Sequence, residues 1–347
     1  MKYNGVQCLR AVAALLVLLA HIKFVGNFGP NPLIASAAGA CGVDVFFVIS
    51  GFVIAISAER LHYDARRFYL TRLCRIVPFY WLMSLLVLVP DSLVFGFQPN
   101  ARLNTLLFLP LLDQHTFHGV VLSFGWTMSF EFWFYTLVAL LLLGLKQRAL
   151  PAIAPLMLLL SLLVAFFYTG AWFLPHFLCH PFLLEFSAGV VLYQLRQGLG
   201  QRTAWAAAVG VLLFGWATWV HQDYGAGQRF ELQWLYFRRD LVWGAFGLAL
   251  VTLAVSLENL QAVRWPRWLV FLGDCSYSLY LIQEFALMAG IKASRMTEFG
   301  RPWSGAVVYV LCTLAGGALL SRWVEMPLTR RVRQWVMPKP ALCLRPQ

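Results

Sequence analysis

The stretch LRAVAALLVLLAH, Leu9 to His21, closes a ten-residue apolar run with an arginine at one end and a histidine at the other. Eleven helical steps of ~100° overshoot three turns by only ~20°, so Arg10 and His21 share nearly one face, ~16 Å apart along the axis. A segment apolar enough for hydrocarbon thus carries, on one stripe, two groups that hydrocarbon does not welcome.

Composition says where this helix sits. The 347-residue chain is 60% hydrophobic and 12% charged, against roughly 45–50% apolar and 25% charged in soluble domains. This is the composition of an integral membrane protein. A net charge of +12 would suit a nucleic-acid partner. However, Lys and Arg fall in short gaps between apolar runs, and no basic block interleaved with stacking aromatics occurs, which argues against nucleic acid.

Windows of the ~20 residues needed to cross ~30 Å of hydrocarbon predict ten spans, near 7–25, 39–57, 76–95, 124–145, 150–169, 174–195, 203–221, 241–257, 269–289 and 304–324. The segment 101–123 reads as re-entrant or interfacial. The expected fold is therefore all-α: a polytopic transmembrane bundle of about ten spans, one domain over 1–347 with its core spans in 7–325. No internal repeat or long polar tract breaks it, and no soluble domain is appended.

Alternate gaps differ in charge. With the N-terminus inside, the cytoplasmic side holds 18 Lys and Arg, including five arginines between 60 and 75, and the opposite side holds 8. Positive-inside bias places both termini in the cytoplasm. A signal peptide is the competing reading of the N-terminus, since Lys2 precedes the apolar run and ASAAGA at 35–40 offers a small-x-small pattern. Some sixteen residues and two prolines separate the two, which disfavours cleavage. The seven cysteines are scattered and without CxxC spacing, as packing residues are. There is no Gly-rich phosphate loop, GxSxG elbow or HExxH helix, and no metal site is expected.

Polar groups in or against the spans are costly enough to need reasons. Five places stand out. Arg10 and His21 form the first, with snorkelling and packing as their bland alternatives. Asp44 in GVDVFFVISGF is the second, flanked by Gly42 and Gly51, which allow close backbone approach. In RRFYLTRLCRIVPFYW, Arg66, Arg67, Arg72 and Arg75 precede the third span, either as a topology signal touching lipid phosphates or as a phosphate site. Glu131 lies in WTMSFEFWFY. The fifth stretch, GDCSYSLYLIQ, carries Asp274, Ser276, Tyr277 and Gln283. Buried carboxylates require partners, and Arg10 or Arg72 would supply them to Asp44 and Glu131.

Together these stretches resemble the membrane-bound acyltransferase-3 family, which acylates bacterial surface sugars and related acceptors. LRAVAALLVLLAH matches the family's Leu-Arg, apolar decapeptide, His opening, and GVDVFFVISGF its second-helix signature. RFYLTRLCRIVPFYW is similar to its arginine-rich entry to the third helix, and WTMSFEFWFY to its Trp-Ser/Thr-Leu-Ser-Val-Glu stretch. GDCSYSLYLIQ matches Gly-x-x-Ser-Tyr-x-x-Tyr-Leu-x-His, and VEMPL the terminal Glu-Arg-Pro-Leu. There are departures. The late His is Gln283 here, and the carboxylate pair of the fourth-helix motif is reduced to Glu131.

The resemblance implies an inner-membrane O-acyltransferase that moves an acyl group, most commonly acetyl, from cytoplasmic acyl-CoA to a hydroxyl of an exopolysaccharide, O-antigen or lipid-linked sugar. Acyl-CoA is a donor substrate and not a resident cofactor. Membrane lipids and a polysaccharide-assembly complex are the other implied partners. On this reading His21 is the general base, with Asp44 or Glu131 fixing its tautomer. Arg10, Arg72 and Arg75 hold the donor, and Trp126, Ser276, Tyr277 and Gln283 contact substrate. A proton-coupled transporter or flippase would also keep Arg, Asp, Glu and His in its spans, and a non-enzymatic subunit would merely pair them.

Overall fold

The computed structural model describes residues 3–28, 38–95, 105–109, 111–113, 116–118, 122–167, 173–221, 238–296 and 301–337. Lys2, Arg102, Arg229, Lys339, Arg345 and Cys343 lie outside these, as do parts of 101–123. The elements are α1 (Asn4–Ile22), α2 (Gly42–Arg60), α3 (Ala65–Phe95), α4 (Trp126–Leu145), α5 (Ala149–Phe167), α6 (Phe173–Leu178), α7 (Phe182–Leu195), α8 (Gln201–Val220), α9 (Ala245–Asn259), α10 (Arg267–Asp274), α11 (Ser276–Met296), α12 (Arg301–Leu320) and α13 (Met326–Val336). Single π-helical turns, Asp240–Gly244 and Ser321–Glu325, lead into α9 and α13.

Eight stretches are long and apolar enough to cross a membrane, where the sequence predicts about ten. Two predicted spans, 124–145 and 150–169, fall in one helical stretch, Trp126–Phe167. It is interrupted at Lys146–Arg148, where Lys146 takes a left-handed φ of 50°. The predicted span 269–289 corresponds to α11, a 21-residue helix outside the eight, as expected of a helix bearing Gln283, Glu284, Lys292 and Arg295. The third span begins earlier than predicted. Asp64 accepts a hydrogen bond from Arg67 N at 2.9 Å and thereby caps α3, so the arginine cluster is helical and is not a loop.

Within 101–123, which the sequence reads as re-entrant or interfacial, Leu111–Asp113 and Thr116–His118 pair as a two-stranded antiparallel hairpin, and Thr116 and Phe117 favour strands.

The core forms where α2 and α7 cross. A Cβ on Gly51 would meet Phe186 O at 1.8 Å, and one on Gly189 would meet Val48 O at 2.0 Å. Only paired glycines let these backbones touch. Phe47, Phe130, Phe134, Phe182 and Phe186 then fill the space around the crossing. Gly42 does the same against α1, where a Cβ would meet Ala13 O at 2.4 Å. The α1 N-terminus is held from a distance: both Glu258 carboxylate oxygens accept 2.8 Å bonds from Asn4 N and Gly5 N, satisfying two of its orphan donors.

Candidate active site

A cavity lies inside the bundle, bounded by α1, α2, α3, α4 and α11. Six residues singled out in the sequence converge on it: Arg10, Arg72, Arg75, Glu131, Ser276 and Tyr277. Arg10 donates from Nε to Ser276 Oγ at 3.0 Å, which ties α1 to α11. Arg72 is buried, donates to Val53 O at 3.0 Å, and lies 5.4 Å from the Tyr135 ring centroid. Glu131 accepts a 2.6 Å bond from Ser50 and a second from Tyr135. Tyr277 is anchored by donating to Ile76 O at 2.9 Å. The rest of the wall is mainly apolar, including Val43, Phe46, Phe47 and Ile49. Three guanidinium groups against one carboxylate give the wall a positive excess in a low-dielectric setting, where charge acts strongly.

A second space, a vestibule, shares Val53, Arg72 and Arg75 with the cavity wall. Arg60 at the end of α2 and Arg333 on α13 also line this vestibule, and among the described residues no carboxylate does. Four arginines without an acid suit a polyanion held through charge-assisted bonds. Sequence reasoning missed Arg60 and Arg333 as individuals. Both lie near basic runs, but nothing in the sequence says that α13 packs beside α3.

His21 lies further along α1 and is not in the cavity wall. Its ring stacks on Phe124 with centroids 4.1 Å apart and an interplanar angle of 28°. The carbonyl of Phe124 accepts a 2.6 Å bond from Tyr280 OH, and Tyr280 and its 2.8 Å partner Thr127 both line the cavity. The Phe124 segment therefore joins the histidine to the chamber. His21 Nδ1 is 3.0 Å from Gln283 Oε1. A carbonyl oxygen accepts, so Nδ1 carries the proton and Nε2 is left with its lone pair. Gln283 is fully buried, and Tyr309 OH also donates to its Oε1 at 3.4 Å.

Neither carboxylate expected to orient the imidazole does so. Glu131 stays with Ser50 and Tyr135. Asp44 lies in a separate buried cluster, receiving a fork from Arg239: Nε to Oδ1 at 2.9 Å and NH2 to Oδ2 at 2.8 Å. Its expected partners, Arg10 and Arg72, are engaged elsewhere. Glu185 and Asp240 join it, with carboxylate oxygens of the three within 4.8 Å of one another. The Arg239 guanidinium sits over the rings of Phe182 (4.8 Å) and Trp243 (4.7 Å). Trp126, expected to touch substrate, packs on Phe130 and Phe182 and is not among the residues that line the cavity. Three carboxylates are a set that hard cations favour, but here a guanidinium already supplies the positive charge.

Glu325, at the end of the second π turn, is a further buried acid, accepting 2.6 Å from Ser278. It belongs to the VEMPL stretch, which marked it as a motif residue without indicating a partner.

This fold and chamber define a polytopic membrane protein with a cation-lined internal cavity. The acyltransferase-3 family model, described as an acyltransferase domain, matches residues 3–322. The chain belongs to that family and is an acyltransferase. It is 34% identical over 306 residues, 85% of this chain and 91% of the other, to the exopolysaccharide production protein ExoZ of Rhizobium meliloti (strain 1021). No solved structure matches it.

Proposed function

We propose that this chain is an inner-membrane O-acyltransferase that takes an acyl group, acetyl in the first instance, from cytoplasmic acyl-CoA and transfers it to a hydroxyl of an exopolysaccharide or its lipid-linked precursor. The observation that carries the donor reading is a vestibule lined, among the described residues, by four arginines and no acid, which shares Arg72 and Arg75 with a largely apolar chamber. The phosphates of CoA fit the first, and the pantetheine arm with its thioester fits the second. The exopolysaccharide acceptor is suggested by the name of the Rhizobium relative. The vestibule end, with both termini, is then cytoplasmic, as the 18 to 8 split of basic residues favours. A polysaccharide-assembly complex would receive the product.

In the transfer step His21 Nε2 takes the proton of the acceptor hydroxyl as its oxygen attacks the thioester carbonyl. The carbon–sulfur bond breaks, and the departing CoA thiolate recovers the proton from the imidazolium. Gln283 holds the ring in the tautomer that this step needs, and Phe124 stacks on its face. Glu131, among three arginines, keeps their charge from repelling itself and anchors Ser50 and Tyr135.

Purified protein in lipid, given isotope-labelled acetyl-CoA and a panel of lipid-linked sugars, is expected to yield free CoA and a product heavier by one acetyl group. Movement of an unmodified sugar across the bilayer with no thioester consumed would replace this reading with a carrier.

A further inference from the structure

A third pocket opens at the same end of the bundle as the vestibule, and its chemistry differs. It is lined by Tyr3, Ile56, Glu59, Arg60, Tyr193, Arg196, Gln197, Leu199 and the turn Glu258–Gln261, and it shares Ile56 and Arg60 with the vestibule. The three spaces follow one face of α2. Val53 joins the chamber to the vestibule, and Ile56 and Arg60, three and seven residues later, join the vestibule to this pocket. These spacings repeat on a single helical stripe and advance ~10 Å.

Charge separates the compartments. The vestibule has four arginines and no acid, whereas this pocket has two arginines and two glutamates, and both glutamates are engaged. Glu258 caps α1 through Asn4 N and Gly5 N. Glu59 pairs with Arg196 at 3.2 Å and accepts a hydrogen bond from Tyr193. The Arg196 guanidinium sits over the Tyr193 ring, 3.8 Å from its centroid. Asn259 spends its amide hydrogens on Arg196 O (2.7 Å) and Leu199 O (3.0 Å), which fixes its carbonyl as an acceptor. A charge-balanced pocket with two tyrosines, a stacked guanidinium and the amides of Gln197, Asn259 and Gln261 suits an uncharged planar heterocycle with donor and acceptor edges.

We propose that this pocket holds the purine ring of the acyl-CoA donor, an assignment that rests on the donor reading above. The nucleotide phosphates then lie against Arg60, Arg72, Arg75 and Arg333, and the pantetheine arm turns inward past Val53 to the chamber. Arg60, on both walls, is the hinge between base and phosphates.

The test compares ligands that contain or lack the base, on full-length protein in lipid nanodiscs by calorimetry. Gln197 and Leu260 are exposed pocket residues, and Gln197→Trp and Leu260→Trp would each fill the pocket without disturbing the core. Both variants are expected to bind CoA about tenfold more weakly and to bind 4′-phosphopantetheine as the unaltered protein does. The second ligand also reports that the protein has folded. Undiminished CoA affinity in both variants, or equal loss of both ligands, overturns the purine assignment while leaving the donor reading intact. Absence of CoA binding by the unaltered protein overturns the donor reading itself, and this assignment with it.

Discussion

The protein buries two clusters of opposite charge in its spans, and they have opposite surroundings. Around the chamber, Arg10, Arg72 and Arg75 outnumber Glu131, and the space beside them is open. In the second cluster, Asp44, Glu185 and Asp240 outnumber Arg239, and the space is closed by Phe182, Trp243 and the backbone. A Cβ on Gly244 would meet Glu185 Oε1 at 2.8 Å, and one on Gly247 would meet the Val45 backbone at 3.1 Å. Burial of charge alone is thus not the mark of a working site. Charge with unfilled volume beside it is, because a ligand can replace the water that folding removed. The closed cluster instead ties α2 to the start of α9, a geometric task.

The largest expected effect tests the open side. His21→Ala should lower turnover by ~10²–10⁴, the usual loss on removing a general base, and leave donor binding and melting temperature nearly unchanged. A variant that melts early but turns over normally per folded molecule would make His21 a packing residue.

Next comes the closed side, where the effect should fall on stability. Asp44→Ala removes the carboxylate that receives the Arg239 fork, and breaking a buried pair in this way costs up to about 3–5 kcal/mol. The fold should weaken in thermal unfolding while activity per folded molecule persists. If Asp44→Ala folds normally and is inactive, the division between a working and a structural cluster fails.

How much of this was legible in the sequence follows the same division. Arg10, Arg72, Arg75, Glu131, Ser276 and Tyr277 stand out in the sequence as polar groups in or against apolar spans, and the fold brings all six to one cavity. Asp44 was marked by the same signal and lies elsewhere, because its partner is 195 positions away and local pattern carries no such pairing. Two signals passed unused. Glu185 interrupts the apolar run PFLLEFSAGVV, and Asp240 follows two arginines at the mouth of a span, so both are intramembrane acids in need of partners. Span counting places a crossing at 269–289, whereas Gln283, Glu284, Lys292 and Arg295 leave α11 outside the eight stretches apolar enough to cross by composition.

A smaller effect separates charge from shape at the chamber mouth. Arg72→Lys and Arg75→Lys keep the charge but lose the planar fork, and one charge-assisted bond is worth about 1.5–3 kcal/mol. Donor affinity should fall about tenfold or more in calorimetry, with the rate at saturating donor largely retained. Unchanged affinity in both variants would remove these two arginines from the donor site.

The smallest effect concerns the neutral partner of the base. Gln283 Oε1 accepts the Nδ1 proton of His21, and a neutral hydrogen bond of this kind contributes about 0.5–1.5 kcal/mol. Gln283→Leu therefore permits the ring to carry its proton on Nε2 part of the time, where it cannot act as base. The rate at saturating donor should drop about two- to tenfold, well short of the His21→Ala loss, because Phe124 still stacks on the ring at 4.1 Å. Gln283→Glu provides the discriminating arm: a carboxylate accepts the same proton more strongly, so it should retain more activity than the leucine variant if tautomer control is the role. Equal rates in both variants would show that stacking alone orients His21, and that the amide serves α11 packing against α12 through Tyr309.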